Sequence, residues 1–382
     1  MKQIPDSFIQ YTIDQCKIIQ QIPSPTFNEQ QKAEYIAKQF EEVNSDDTVI
    51  DPTGNVLTKI RGIKSNKPLV ISAHLDTVHP IDSNLGISEN KQRITGPSIG
   101  DNSLGLATLL MLHHYFHDLN IVPRQDIWLV ANTTEEGLGN LDGMKAIVNM
   151  FKTKPSAYVI LEGLGLGRVV IQGLSVQRYR VTFQCDGGHS WADYGKTSAI
   201  HEMNHVIEKI LSVPVPQECK TTINVGKISG GKSINTIAPS ASFDLDLRSE
   251  KTSVLQKYWG IIQNILKESK TPELKITWEQ IGQRPGGAIK PGHPLVQKTK
   301  KALETYGIEP KLTSGSTDAN IPLSEGYPAV CIGLTEGDHA HSLDEYIELA
   351  PLANGLSALV YLLNLLWEAP KPSRRPPGRK RY

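Results

Sequence analysis

A chain of 382 residues is longer than one ordinary hydrophobic core organises, and it implies two domains. Lys plus Arg and Asp plus Glu both number 40, so the formal charge is zero, which argues against a basic footprint for nucleic acid or an acidic solvating tail. The 39% of apolar residues fall in short runs, none near the roughly 20 consecutive residues that span a bilayer.

The start, MKQIPDSFIQYTIDQC, lacks a charged segment followed by an apolar one, so no secretory leader is expected. Residues 6 to 42 carry helical periodicity, with Ile13, Ile18 and Ile19, then Ala33, Ile36, Ala37 and Phe40. Ile22-Pro23-Ser24-Pro25 breaks this into two helices, with Asn28 as the expected cap of the second. Strands at 68–73, 127–131 and 157–161 then alternate with helices at 104–116 and 141–151, the rhythm of an α/β domain with a largely parallel sheet. From Gly173 the texture changes. Alternating strands at 176–185, 221–225, 241–247 and 274–279 enclose helices at 198–211 and 254–268, a small α+β sandwich. The α/β pattern resumes with a helix from Pro294 to Tyr306, a strand at 329–332 and a helix at 352–367. The expected organisation is a first α/β segment at 1–173, an inserted α+β domain at 174–284, a second α/β segment at 285–370 and a solvated Pro- and Arg-rich tail at 371–382. Cys16, Cys185, Cys219 and Cys331 form no Cys-x-x-Cys pair, which excludes a cysteine-held zinc and reads as free thiols in the cytoplasm.

The chemistry concentrates at strand ends. His74 and Asp76 follow the strand at 69–73, Glu135 and Glu136 follow the strand at 127–131, and Glu162 ends the strand at 157–161. In open α/β sheets this edge is where ligands bind. Several carboxylates converging there repel one another unless a cation neutralises them or some hold protons. Asp101 adds another acid at the same edge, and as a lone residue it reads equally well as a cap for the helix at 104. In His74-Leu75-Asp76 the alternate side chains of an extended segment share a face, and a ligating imidazole needs an acceptor on its second nitrogen.

These residues belong to an ordered set of motifs: Ser72-Ala73-His74-Leu75-Asp76-Thr77-Val78, Gly100-Asp101-Asn102, Thr134-Glu135-Glu136-Gly137 and Gly188-His189-Ser190, followed by Asn235-Thr236-Ile237-Ala238-Pro239, Asp246-Leu247-Arg248, Ser316-Thr317-Asp318-Ala319 and His341-Ser342-Leu343-Asp344-Glu345-Tyr346. Together they resemble the M20 metallopeptidases, from Ile22 to Leu366. The resemblance implies a zinc-exopeptidase-like α/β catalytic domain with an inserted, ferredoxin-like α+β lid that also forms a homodimer. It implies that Asp101 bridges two zinc ions, with His74 and Glu162 on one and Glu136 and His341 on the other. The same ligand types also suit Co2+ or Mn2+. Glu135 is then the general base, Asp76 orients His74, and His189 donates to the developing oxyanion, in similar enzymes often from the other subunit. A cis peptide at Asp101-Asn102 is implied as well.

Asn235, Arg248 and Ser316 match substrate-contacting positions of similar enzymes. Arg248 reads either as a bidentate partner for a substrate carboxylate or as a salt bridge to Asp244 or Asp246. His339 competes with His341, which fits the family's His-x-x-x-Glu-Tyr pattern. His113, His114 and His117 read as surface or packing residues. Gly230-Gly231-Lys232-Ser233 hints at a phosphate loop, although no nucleotide site is expected. The expected activity is hydrolysis of an amide bond in a small peptide, with an N-acyl-amino-acid deacylase as the enzymatic alternative. A non-catalytic metal- or peptide-binding homologue is the alternative outside enzymes, but it has no need of a general base. Neither nucleic acid nor membrane is an expected partner.

Overall fold

Runs such as 69–73, apolar but for the small Ser72, and the fully apolar 159–161 leave no strongly polar face for water, so they form strands covered on both sides. In the computed structural model, which describes residues 3–43, 47–151 and 155–367, these runs lie at the middle of a nine-stranded sheet with every apolar side chain in them buried. The order across the sheet is Val49–Ile50, Val56–Ile60, Gln125–Asn132, Lys64–His74, Ala157–Leu166, Ala329–Gly333, Arg168–Gly173 and Gly287–Ala288, with Lys311–Gly315 also paired to Arg168–Gly173. Lys64–His74 is parallel to both its neighbours, and Ala329–Gly333 is parallel to Ala157–Leu166. The C-terminal ends of four strands therefore open on one edge. Antiparallel pairing appears toward the flanks, where Val56–Ile60 meets Gln125–Asn132 and Arg168–Gly173 meets Ala329–Gly333.

Helices Asp6–Gln20, Gln30–Val43 and Gly105–Asp118 pack together against this sheet, while Pro294–Thr305 and Leu352–Trp367 form a second packed pair. The second helix begins at Gln30 with Glu29, rather than Asn28, accepting the Ala33 N–H at its start. Asp101 does not cap the helix at 105. The segment Ile99–Leu104 is a wide turn in which the Asp101–Asn102 peptide is cis, as the resemblance implied, and the Asn102 side chain accepts the Gly105 N–H at 3.2 Å. Asp101 is thereby released from a structural duty at the sheet edge. None of the described helices is long and apolar enough to cross a membrane.

A second, separate core joins Tyr179, Phe183, Phe243, Leu247, Ile262 and Ile276. Its sheet runs Thr221–Gly230, Ser240–Ser249, Ser175–Gln184, Lys275–Arg284, all antiparallel, with helices Ala199–Leu211 and Thr252–Glu268 against one face. Ser240–Ser249 alternates buried and open positions along its length, the period of a sheet covered on one side only. This is the βαββαβ lid. The run from Gly226 to Ser233 has the spacing of a phosphate loop, but it lies on a hairpin between two lid strands and leads into no helix. The tail at 371–382 falls outside the described residues.

Candidate metal centre

His74 is the last residue of its strand and is buried. Its Nδ1 lies 2.9 Å from the main-chain O of Asp76 and 3.6 Å from Asp76 Oδ1. A carbonyl can only accept, so Nδ1 carries the proton and Nε2 presents its lone pair to the cavity when the ring is neutral. That nitrogen lies 3.0 Å from Asp101 Oδ1 and 3.6 Å from Glu162 Oε2. The other oxygen of Asp101 faces His341 Nε2 at 3.1 Å, and the same nitrogen is 3.1 Å from Glu136 Oε1. Asp101 thus stands between two imidazoles, one oxygen toward each. Two groups result, His74–Asp101–Glu162 and Asp101–Glu136–His341, each with donor atoms within 4.8 Å of one another.

Different devices aim each side chain. The Asp76 carboxylate, fully buried, accepts the N–H of Glu135 at 2.9 Å on one oxygen and that of Glu136 at 2.8 Å on the other. Thr26 Oγ1 donates to the second oxygen at 2.8 Å. The carboxylate therefore anchors the Glu135–Glu136 turn, while its own main-chain O is the closer acceptor for His74. The strand bearing Glu162 runs on to Leu166, but its pairing jumps from Ile332↔Leu161 to Gly333↔Leu166. Residues 162–165 bulge, and Glu162 turns into the site. His341 arrives from the loop between the short strands Gly337–Asp338 and Tyr346–Glu348 of a four-stranded antiparallel sheet. His339, in the same loop, is exposed and pairs with Asp344 at 2.9 Å.

Glu345, quoted in a motif but given no role by sequence reasoning, holds this loop to the Asp101 turn. Its Oε1 accepts the N–H of Gly100 at 2.7 Å and of Asp101 at 2.8 Å, and its Oε2 accepts that of His341 at 3.3 Å. Burial pushes the Glu345 carboxyl up to about 7 against the pull of these N–H groups. Arg284 was missed outright. It is buried, donates to Glu135 Oε1 at 3.1 Å and Ser316 Oγ at 3.0 Å, and also donates to the Glu135 main-chain O. A lone Arg ahead of Pro285 has no local signature of such a role.

The electrostatics follow from burial and crowding. Burial alone would lower the His74 imidazole, but contacts to Asp101, Asp76 and Glu162 outweigh it and hold the ring well above its ordinary value. Hydrogen bonds from its Nε2–H to the Asp101 and Glu136 carboxylates lift His341 to about 10. Burial raises Glu135 well above the usual carboxylate range, only partly opposed by Arg284. A cavity of about 410 Å³ holds His74, Asp101, Glu135, Glu136, Glu162 and His341. Arg248 and Ser316 line it too. Arg248 is also ion-paired, to Asp246 at 2.7 Å, while Asp244 is taken by Arg180. His189 and Asn235 are not among the lining residues. They sit exposed on the lid, where Gly188–His189 pairs with Thr236–Ile237. His113 is buried against Phe40, whereas His114 and His117 sit beside Asp118 near the helix end.

The sequence profile of Peptidase family M20/M25/M40 matches residues 70–365, a span containing every strand end that delivers a group to this site. The chain belongs to that family. It is an M20 metallopeptidase or amidohydrolase, and its carboxylate–imidazole cluster lies at the sheet edge. It shares the M20 fold with a tripeptidase of Staphylococcus aureus subsp. aureus Mu50, with TM-score 0.80 at 19% identity over 94% of this chain and 98% of that one. The fold recurs in a dinuclear metal-binding M20 peptidase of Bacillus subtilis, with TM-score 0.67 at 14% identity over 95% and 99% of the two chains. In sequence it is 23% identical to the acetylornithine deacetylase of Shigella sonnei (strain Ss046) over 304 residues, 73% of this chain and 75% of that one.

Proposed function

We propose that this protein is a two-zinc hydrolase cleaving the amide bond of small peptides. The observation that carries the reading is Asp101, with one oxygen toward His74 and the other toward His341. The donor set fits a pair of divalent cations. It contains imidazole nitrogens and carboxylate oxygens with no thiolate, and the His74 tautomer is fixed by an acceptor on Nδ1. His74, Asp101 and Glu162 would hold one ion and Asp101, Glu136 and His341 the second. Zn2+ is the proposed metal, and Co2+ and Mn2+ suit the same donors. Bound there, the pair would supply Lewis acidity that polarises a carbonyl and lowers the pKa of a water toward neutrality.

The chain's own groups do the rest. Glu135 Oε1 is occupied by Arg284, which leaves Oε2 to take the water's proton and return it to the nitrogen of the leaving amine. Asp76 keeps Glu135 and Glu136 in register through their backbone N–H groups. Ser316, beside Arg284, and Arg248 are the proposed contacts to the substrate, with Arg248 receiving a carboxylate. Asn235 and His189 approach from the lid, His189 as donor to the developing oxyanion. With both outside the cavity here, residues 174–284 act as a lid that closes on the substrate, or a second subunit of a lid-joined homodimer reaches in. Deacylation of N-acyl amino acids is the second reading, favoured by the similarity to acetylornithine deacetylase.

A hydrolysis screen of di- and tripeptides against N-acyl amino acids tests the proposal. Cleavage is expected with zinc, lost after chelation and restored by adding the metal back. A folded, zinc-loaded protein that cleaves no amide in either panel overturns it.

A further inference from the structure

Four arginines, Arg168, Arg178, Arg248 and Arg284, line the same cavity as the carboxylate–imidazole cluster. Their partners separate them. Arg284 is committed to Glu135 and Ser316, so its charge is matched by the Glu135 carboxylate. Arg178 and Arg248 divide a single carboxylate between them. Arg178 Nε donates to one oxygen of Asp246 at 2.8 Å, and Arg248 Nε donates to the other at 2.7 Å. One negative charge faces two positive ones. The side chain of Arg168, at the start of Arg168–Gly173, reaches the cavity and makes no hydrogen bond or ion pair to any described residue.

None of these last three arginines contacts Asp101, Glu136 or Glu162, whose near partners are His74 and His341. These three arginines, with Asp246 as their one carboxylate partner, therefore bring two positive charges in excess to the cavity lining. Val170 and Leu164 line the cavity beside them. A concave wall of one sign raises the local concentration of ions of the other sign. The guanidinium fork moreover matches a carboxylate with two parallel hydrogen bonds.

We infer that the substrate of this site bears two carboxylate groups, one received by the Arg178–Arg248 pair and the second by Arg168. The inference rests on the hydrolase reading and narrows it, since recognition by Arg248 alone asks for one carboxylate only. Arg168 is the specificity-determining residue, because it is the arginine with no internal partner to release. Losing a hydrogen bond to a charged group costs about 1.5–3 kcal/mol, roughly a ten- to hundredfold preference for the dianion.

Two probe pairs test this with the zinc-loaded full chain. In N-acetyl-L-glutamate and N-acetyl-L-glutamine the second carboxylate or its amide lies on the amine side. In N-succinyl-L-alanine and its terminal amide it lies on the acyl side. The expected result is a kcat/KM about ten- to hundredfold higher for the dicarboxylate in one pair. Arg168→Gln is expected to bring that ratio near unity and Arg168→Lys to recover part of it. Arg168 is exposed, so the variants should fold, and zinc content with melting temperature checks that they do. Equal turnover within both pairs overturns the inference and leaves the hydrolase reading standing. Should no probe be cleaved, calorimetric binding of glutamate against glutamine and of succinate against succinamate decides instead. A dicarboxylate preference abolished by Arg168→Gln then supports the inference without the hydrolase reading, and equal affinity overturns it.

Discussion

Glu135 is held from three sides: its N–H by Asp76, its main-chain O by Arg284 and one carboxylate oxygen by Arg284 as well. Replacing it by Gln keeps the shape and removes the ability to take a proton. Glu135→Gln is expected to retain its zinc and lose about 10²–10⁴-fold in turnover, the usual range for a general base. Metal analysis alongside steady-state rates checks both halves, and a variant with near-native turnover would show that another group moves the proton. His113 makes a second, independent prediction. Burial and the neighbouring His114 and His117 lower its imidazole to about 4, and its Nδ1 is buried with no partner among the described residues. The folded state thus binds the proton less well than the unfolded chain, whose imidazole titrates near 6.5. The neutral ring's contribution is fully present above pH about 6.5 and is lost as pH falls toward about 4. At about 1.4 kcal/mol per unit, up to about 3 kcal/mol is at stake. Urea unfolding between pH 7 and 4 should show His113→Leu losing less stability than the native chain. Parallel losses would mean that His113 is free to charge in the fold.

Among the elements, the turn after Gln125–Asn132 has the most constraints on it. Thr134 takes a positive φ of 60°, and its N–H goes to Glu29 Oε1 at 3.1 Å. The next two N–H groups go to the Asp76 carboxylate, so that two consecutive side chains face the cavity. An amide at position 76 accepts only one N–H and turns its NH2 against the other. Asp76→Asn is therefore expected to lower zinc affinity or kcat/KM by about 10–100-fold, the range typical for groups that support metal ligands. A zinc titration of the variant beside the native protein reads this directly. Were Asp76 merely filling space, the isosteric amide would leave both quantities unchanged. Arg284, the last residue of its lid strand, ties the edge of the lid sheet to the same turn.

At the scale of the molecule, the chain crosses between the two cores twice, at Gly173–Leu174 and near Pro285. The Asn320 side chain spans both crossings, donating to Leu174 O at 2.7 Å and to Pro285 O at 2.9 Å. Gly173 has no room for a side chain there, since a Cβ would lie 2.6 Å from Asn320 Oδ1. The lid root is thus pinned while the lid tip, with His189 beside exposed Trp191 and Tyr194, stands open. His189→Ala is expected to reduce turnover while zinc content stays constant. Loss of zinc would make His189 a ligand instead. Sedimentation of the active protein separates the two routes by which His189 arrives, because a fully active monomer excludes delivery from a second subunit.

Much of this molecule is written locally in its residues. The apolar run 69–73, the alternation along 241–247 and the amphipathic repeats of the long helices each encode their element within a few residues, since side-chain periodicity alone decides which face is buried. The positions of His74, Glu135 and Glu136 at strand ends were legible for the same reason. Other features have no local signature. Strands as short as Gly337–Asp338 and Arg93–Thr95 show no period, yet they form the sheet that delivers His341. Arg284 meets Glu135 across 149 residues of chain, and Glu345 meets Gly100 across 245. Such pairs exist only once the sheet edge has brought distant segments together. Residue type and local spacing determined which groups could carry the chemistry; tertiary packing decided which of them touch, because a hydrogen bond between remote segments depends on a shared position in space and leaves no period in the chain.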